Sequence, residues 1–346
     1  MPVISPREVQ DVESFSVDGV IAEVVDPQVA ERLRGLPCPV VNVASRLPPG
    51  LLPSVTVDND AIGRLGARHL YESGHSRFAF AGIAGHRYSD ERCDAFVNEL
   101  QRLGRTDVAL FGRHDDSPRD EPPKADFAAL EQWVRGHPHP IGVMACNDFR
   151  ARHVAQLAAR AGIRVPEDIV VVGADNDELQ CELSDIPLSS IDVALECVGY
   201  EAAVLLDRLM AGDPEPAGPL RVPPIGVVAR RSSDVLAIDD ADVAAAVAFI
   251  REHAHEHIEV EDVLEKVHVS RRTLERRFNE ALGRTPRAEI RRAHIERARK
   301  LLTETDLPMP DVARGAGLPN AERLSVVFKR EVGQTPTAYR RQFRLR

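Results

Sequence analysis

The first 235 residues read as an α/β domain, and the remainder as an all-helical domain that carries one unit twice. Two observations predict this. Before residue 235, continuous β-branched runs alternate with amphipathic stretches, the pattern of a parallel sheet buried on both faces. After it, Phe278-Asn-Glu-Ala-Leu-Gly283-Arg-Thr-Pro286 returns fifty positions later as Phe328-Lys-Arg-Glu-Val-Gly333-Gln-Thr-Pro336. A fixed offset that holds over core positions, a terminating glycine and the proline beyond it marks a duplicated structural unit.

In order along the chain, strands are expected at residues 19–22, 40–43, 78–82, 141–145 and 169–173. Helices are expected between them at 60–72, 90–103, 149–161 and 198–210. Pro122-Pro123 and Asp213-Pro-Glu-Pro216 read as surface loops. A linker at 236–242 divides a first domain, 1–235, from a second, 243–346. In the second, Val243, Val247 and Ile250 share a helix face, and Val263, Leu264 and Val267 make a short helix. Ser270 is the N-cap of the next, which buries Leu274, Phe278 and Leu282 at every fourth position. A long helix from about 287 to 302 follows, then the short pair again, with Asn320 as cap and Leu324, Val327 and Phe328 inward. A short helix, a turn and a capped second helix form a helix-turn-helix, here near 260–279 and 311–329.

Composition is that of an ordinary globular protein, with 43% hydrophobic and 28% charged residues. No apolar run approaches the roughly 18 residues of a membrane helix, and residues 1–15 show no secretory signal, so a cytoplasmic protein is expected. Cys38, Cys93, Cys146, Cys181 and Cys197 are scattered and odd in number, which suits reduced thiols. The net charge of −10 is unevenly spread: residues 241–346 hold 21 Lys and Arg against 16 Asp and Glu, or +5, which leaves −15 elsewhere. Basic charge therefore accompanies the duplicated unit, where a phosphate backbone would need it.

With Leu274 and Phe278 inward, the outer face of the first repeat's second helix carries Arg271, Arg272, Glu275, Arg276 and, at its edge, Arg277. Arginine grips guanine through O6 and N7, and glutamate accepts from cytosine N4. Residues 243–343 resemble the DNA-binding domain of the AraC/XylS family of transcription regulators. Leu264, Ser270, Leu274, Phe278, Gly283, Pro286, Ala298, Leu301-Leu302, Ala313, Gly317, Phe328-Lys329, Gly333, Thr335-Pro336 and Tyr339-Arg340 carry the likeness. The resemblance implies base contacts from Arg272, Glu275 and Arg276 in the first copy and from Ala321, Glu322 and Ser325 in the second. Arg323 and Lys329 would lie nearer the backbone. The second copy departs from the family: Leu318 stands where an aromatic follows Gly317, and Arg323-Leu324 where an aromatic pair is common. The first copy is expected to carry more of the affinity.

In the first domain, residues 66–80 read as a helix, a Gly74-His75 turn and a strand. This resembles the two-lobed effector domain shared by LacI-type repressors and periplasmic sugar-binding proteins. Residues 54–58, Asp90-Glu-Arg92, 165–173, 187–191 and 224–231 extend the likeness over residues 18–233. A sensor of that kind joined to an AraC-type reader resembles the layout of bacterial xylose-operon regulators, with specific matches at 18–22, 77–80, 148–153, 175–178 and 222–225. That family's sensor opens with a strand, helix and strand that would precede Val3 and is missing from this sequence, so a start placed downstream, or a rebuilt first lobe, is expected. A sugar cleft needs carboxylates, amides, an arginine and an aromatic ring, and α/β ligands bind at the carboxyl ends of strands. Asp148, Asp175, Asn176, Arg92, Tyr88 and Glu23 lie at such ends and are the candidate ligand residues. Trp133, at helical spacing from Leu130 and Val134, reads as core.

His253, His255 and His257 alternate near a helix end, with nothing to complete a metal site. Cys146 stands at a strand end, where a nucleophile could sit, but no catalytic grouping or cofactor motif accompanies it in the sequence. The expectation is a DNA-binding regulator of sugar-utilisation genes, not an enzyme. By resemblance it is a dimeric activator that answers to a pentose such as D-xylose and works with RNA polymerase. The alternatives are a constitutive DNA binder that has lost sensing, and a sugar-binding protein or enzyme with a vestigial helix-turn-helix.

Overall fold

The computed structural model describes residues 17–112, 123–234 and 240–344. In chain order the first domain contains β1 Val20–Ala22, α1 Pro27–Arg34, β2 Val40–Asn42, β3 Val55–Val57, α2 Asn59–Glu72, β4 Phe78–Ala81 and α3 Arg87–Arg102. It continues with β5 Val108–Phe111, α4 Pro123–Arg135, β6 Ile141–Ala145, α5 Asp148–Arg160, β7 Ile169–Ala174, α6 Glu178–Glu182 and β8 Ser189–Asp192. Then come α7 Leu195–Met210, β9 Leu220–Val222, β10 Gly226–Val228 and a 3-10 turn at Arg231–Ser233. The second domain is α8 Ala241–Glu252, α9 Val260–Val267, α10 Arg271–Leu282, α11 Pro286–Glu304, α12 Met309–Gly315, α13 Ala321–Val332 and α14 Pro336–Phe343.

The α/β domain has two lobes. In one, three-residue strands pair in parallel as β1–β2 and β3–β9, linked by a bridge between Asn42 and Ser54, with α7 packed across them. The other lobe is a six-stranded sheet of order β10-β8-β7-β6-β4-β5, parallel except for β10. Its inner strands β6 and β7 are buried at every position, as continuous Val and Ile runs require of a sheet covered on both sides. The strand order reverses between β4 and β6, which opens a crevice at their carboxyl ends. Gly66 lets α2 lie against that sheet, since a Cβ there would stand 2.3 Å from the Met144 sulfur. Trp133 is half-buried against the Phe111 ring at 5.6 Å, as expected of a core residue. The opening at Val3 and most of the linker at 236–242 lie outside the described residues; Asp240 already caps α8.

The helical domain shows the duplication in its caps. Ser270 accepts from the Thr273 amide and Asn320 from the Arg323 amide, each satisfying an orphan donor at a helix start. Gly283 and Gly333 end those helices at φ 64° and 85°, a left-handed turn that costs an L side chain strain. Thr285 and Thr335 then cap α11 and α14, each with proline as the first helical residue. The first helix-turn-helix closes over a core of its own with α8 and Ile290. The second shares an apolar core with the first lobe: Val312, Leu324, Phe328 and Phe343 pack in one cluster with Val41, Val55, Val198 and Leu205.

Candidate nucleic-acid interface and sensor cleft

On α10, Leu274, Phe278 and Leu282 face inward, and this leaves Arg271, Arg272, Glu275 and Arg276 exposed. Arg271 pairs with Glu261 at 2.6 Å and Glu275 at 3.1 Å, and Arg276 with Glu280 at 2.8 Å. Such exposed pairs are worth under about 1 kcal/mol, so the guanidinium groups are released from them at small cost. Arg272 has no ion pair among the described residues. Arg277 is turned back toward α8, where Asp242 holds it at 2.6 Å and Asp240 at 3.5 Å.

On α13, Glu322, Arg323, Ser325 and Lys329 are exposed and Ala321 half-buried. Val326 stands on the same face, 57% exposed, an apolar side chain where solvent alone would favour a polar one. The base contacts expected on this helix end at Ser325. Yet the offset that carries Arg272 onto Glu322 and Glu275 onto Ser325 also carries Arg276 onto Val326. A valine in a major groove meets thymine methyls. Between the two recognition helices, the nineteen residues of α11 span about 28 Å, close to the roughly 34 Å of one DNA turn.

The sensor's polar cluster sits at the reversal of strand order. Arg92 is buried; it donates to the Cys146 carbonyl and to Asn59 Oδ1 at 3.0 Å, and meets Asp175 at 3.3 Å. Its guanidinium lies 5.1 Å from the Tyr88 ring centre, and the Tyr88 hydroxyl accepts from Asn147 Nδ2 at 3.2 Å. Asp175 and Asn176 take φ of 116° and 54°, strained backbone of the kind that collects at ligand sites. The cluster reaches the other lobe through α3. Asn59 donates to Glu91, Glu91 accepts from Arg87, and Arg87 donates to the Leu47 carbonyl at 3.3 Å. A narrow cleft lined by Asn42, Ser45, Leu47, Arg87 and Glu91 runs along that junction.

Of the six expected ligand residues, Tyr88, Arg92 and Asp175 come together here. Asp148 does not. It is buried inside the lobe, where Oδ1 accepts from Ser190 Oγ at 2.6 Å and Oδ2 from the Asp177 amide at 2.9 Å. Burial pushes its carboxyl up to about 6 against those two bonds. Its neighbour Asn147, passed over in the sequence, caps α5 and faces the cluster. Asn176 is also consumed: it takes a bond from Arg230 at 3.0 Å and gives one to Asp192 at 3.3 Å. Glu23 is exposed after β1 and makes no side-chain hydrogen bond among the described residues. The Cys146 thiol is wholly buried and pushed up to about 11 by that burial, which leaves it inert. His253 stacks on Phe249 at 4.2 Å, and no metal-ligating group of three or more gathers among the described residues.

The family described as periplasmic binding protein-like domain matches residues 67–233, and a helix-turn-helix domain family matches residues 263–342. The xylose operon regulatory protein of Escherichia coli (strain K12) is 34% identical over 341 residues, 96% of this chain and 86% of that protein. The chain belongs to the family of xylose operon regulatory proteins. Like other members of that family it is a DNA-binding transcription regulator and not an enzyme. The solved structure of a xylose-binding transcription activator, xylR, is similar over 95% of this chain and 87% of its own, at 34% identity and a TM-score of 0.56. A LacI-family regulator from Rhizobium etli matches 65% of this chain and 83% of its own, at 26% identity and a TM-score of 0.54. No helix among the described residues is long and apolar enough to cross a membrane.

Proposed function

We propose that this member of the xylose operon regulator family is a cytoplasmic, sugar-responsive activator of sugar-utilisation genes, with a pentose such as D-xylose as effector. One observation carries the reading: Arg92, Asp175, Tyr88 and Asn147 gather at the crevice where the strand order reverses. Carboxylate, amide and guanidinium answer to sugar hydroxyls, and the Tyr88 ring to a C–H face. A sugar seated there engages α3, whose Arg87 already holds the loop of the opposite lobe at Leu47. Binding energy thus favours the closed pair of lobes.

The reader faces DNA through Arg271, Arg272, Glu275 and Arg276 of α10 and through Ala321, Glu322, Arg323, Ser325, Val326 and Lys329 of α13. Arg277 acts by fixing α10 to α8. The chain works as a homodimer and recruits RNA polymerase at its promoter. Exposed apolar side chains support the dimer: Phe149 on α5, Leu179 on α6 and Leu183 just beyond it are 48%, 68% and 78% exposed, and α5 packs on α6.

The test is thermal stabilisation of the purified chain across a panel of pentoses and hexoses, run beside a promoter-fragment shift. A pentose that raises Tm and changes the shift is expected. Promoter binding with no response to any sugar would instead mark a constitutive binder.

A further inference from the structure

A cavity of about 250 Å³ lies away from the sugar crevice, between sensor and reader. Its walls come from α2, from the segment joining β9 to β10, and from α11 and α14. Three guanidinium groups line it, those of Arg64, Arg68 and Arg299, and no carboxylate does. Arg68 pairs with the buried Glu99 at 2.7 Å, and one end of Arg299 with Glu296 at 3.2 Å. Arg64 has no hydrogen bond or ion pair among the described residues, and the Arg299 Nε–H is buried with no acceptor. A buried charged donor without a partner costs free energy that a matching acceptor would recover. Gln334, on the rim, adds a further donor. The remaining wall is apolar, from Leu65, Ile225 and Phe343, and so lowers the local dielectric and strengthens any charge pairing.

We propose that this cavity binds a small phosphate-bearing anion, of the size of a phosphorylated pentose, as a second effector distinct from the neutral sugar. Arginine recognises phosphate through paired N–H donors, and the volume leaves room for a sugar body behind the phosphate. Arg64 belongs to the sensor and Arg299 to the reader, so one anion held by both ties the domains together. The neutral sugar controls the lobes; the anion controls how firmly the reader is attached to them.

The experiment is calorimetric titration of the full chain with D-ribose 5-phosphate, inorganic phosphate and D-ribose, repeated with Arg299→Gln, Arg64→Gln and, as a control on the DNA face, Arg272→Gln. Saturable binding of the sugar phosphate is expected, with none of D-ribose in this site. Each cavity variant should weaken it about tenfold, and Arg272→Gln should leave it unchanged. Equal binding of inorganic phosphate would keep the site and assign it to the phosphate alone. No saturable binding, unchanged affinity in both cavity variants, or loss in Arg272→Gln would overturn the proposal. Circular dichroism of each variant separates lost binding from lost fold. The sugar panel described above reads the crevice independently, so the two readings fail separately.

Discussion

Arg292 of the reader meets Glu289 of the same helix at 2.7 Å and Glu72 of the sensor at 3.1 Å, while Arg284 reaches Glu289 at 2.6 Å and the Glu72 carbonyl at 2.9 Å. The Glu289 side chain is wholly buried among these groups. Burial alone would raise its carboxyl; Arg292 and Arg284 instead hold it at about 2.

Glu289→Gln is therefore expected to destabilise the chain by about 3 kcal/mol, because the part-buried Arg284 loses its carboxylate partner and Arg292 is left with Glu72 alone. Chemical denaturation measures this. The folded carboxyl titrates below its unfolded value, so its contribution is present above pH 4.5 and lost as pH falls through 2. The wild type should lose stability over that window, and the variant should lack this part of the slope.

His75 gives a second acid response. Its ring is buried, and that burial depresses it to about 4 despite a bond to the Leu70 carbonyl. The neutral form is favoured in the folded state, so its stability is present above pH 6.5 and lost as pH falls through 4. It amounts to about 3 kcal/mol at full extent. Thermal melts of His75→Asn between pH 7 and 4 should be flatter than those of the wild type; parallel curves would refute the assignment.

Arg92→Ala and Asp175→Asn should abolish sugar-induced stabilisation. Asp148→Asn should keep it, since the Asp148 carboxylate is occupied inside the lobe by Ser190, the Asp177 amide and the Cys181 thiol. Sugar titration of the three variants decides the matter, and loss of binding in Asp148→Asn would restore that residue to the site.

On DNA, Arg276→Ala should cost about 1–3 kcal/mol at its base position. Val326→Ala should relax a thymine preference in the other half-site. Site selection from randomised duplexes reads both effects, and an unchanged preference in either variant would remove that residue from the reading face.

Leu179→Asp combined with Leu183→Asp places charge at the two most exposed of these apolar side chains. Sedimentation velocity is expected to show a dimer for the wild type and a monomer for this variant. A dimer that persists would place the contact elsewhere.

The helical domain was legible in the sequence because its signals are local. Ser270 and Asn320 as caps, Gly283 and Gly333 as stops, and a period-four apolar face all act within one helix. The sensor cluster was legible only in part. Asn147 and Asp148 are adjacent at one strand end, and sequence does not say which of them turns back to cap α5. The contact of Glu72 with Arg292 joins residues 220 positions apart, and no periodicity reports such a pair. Arg277 was placed at the edge of the DNA face because its register on α10 permits it; the acidic residues of α8 that claim it lie 35 and 37 positions away.

The fifty-residue repeat leaves one helix over. Where α11 runs nineteen residues as the bridge from one helix-turn-helix unit to the next, its counterpart α14 has eight. That shorter helix packs on the sensor: Tyr339 donates to the Ile225 carbonyl at 2.7 Å while its ring abuts Phe328 of α13 at 5.2 Å. A shift in the strand crossing between the lobes would thus press, through one aromatic ring, on the back of the second recognition helix. Duplication of a DNA-reading module would in this way have supplied the lever that lets a sugar move it.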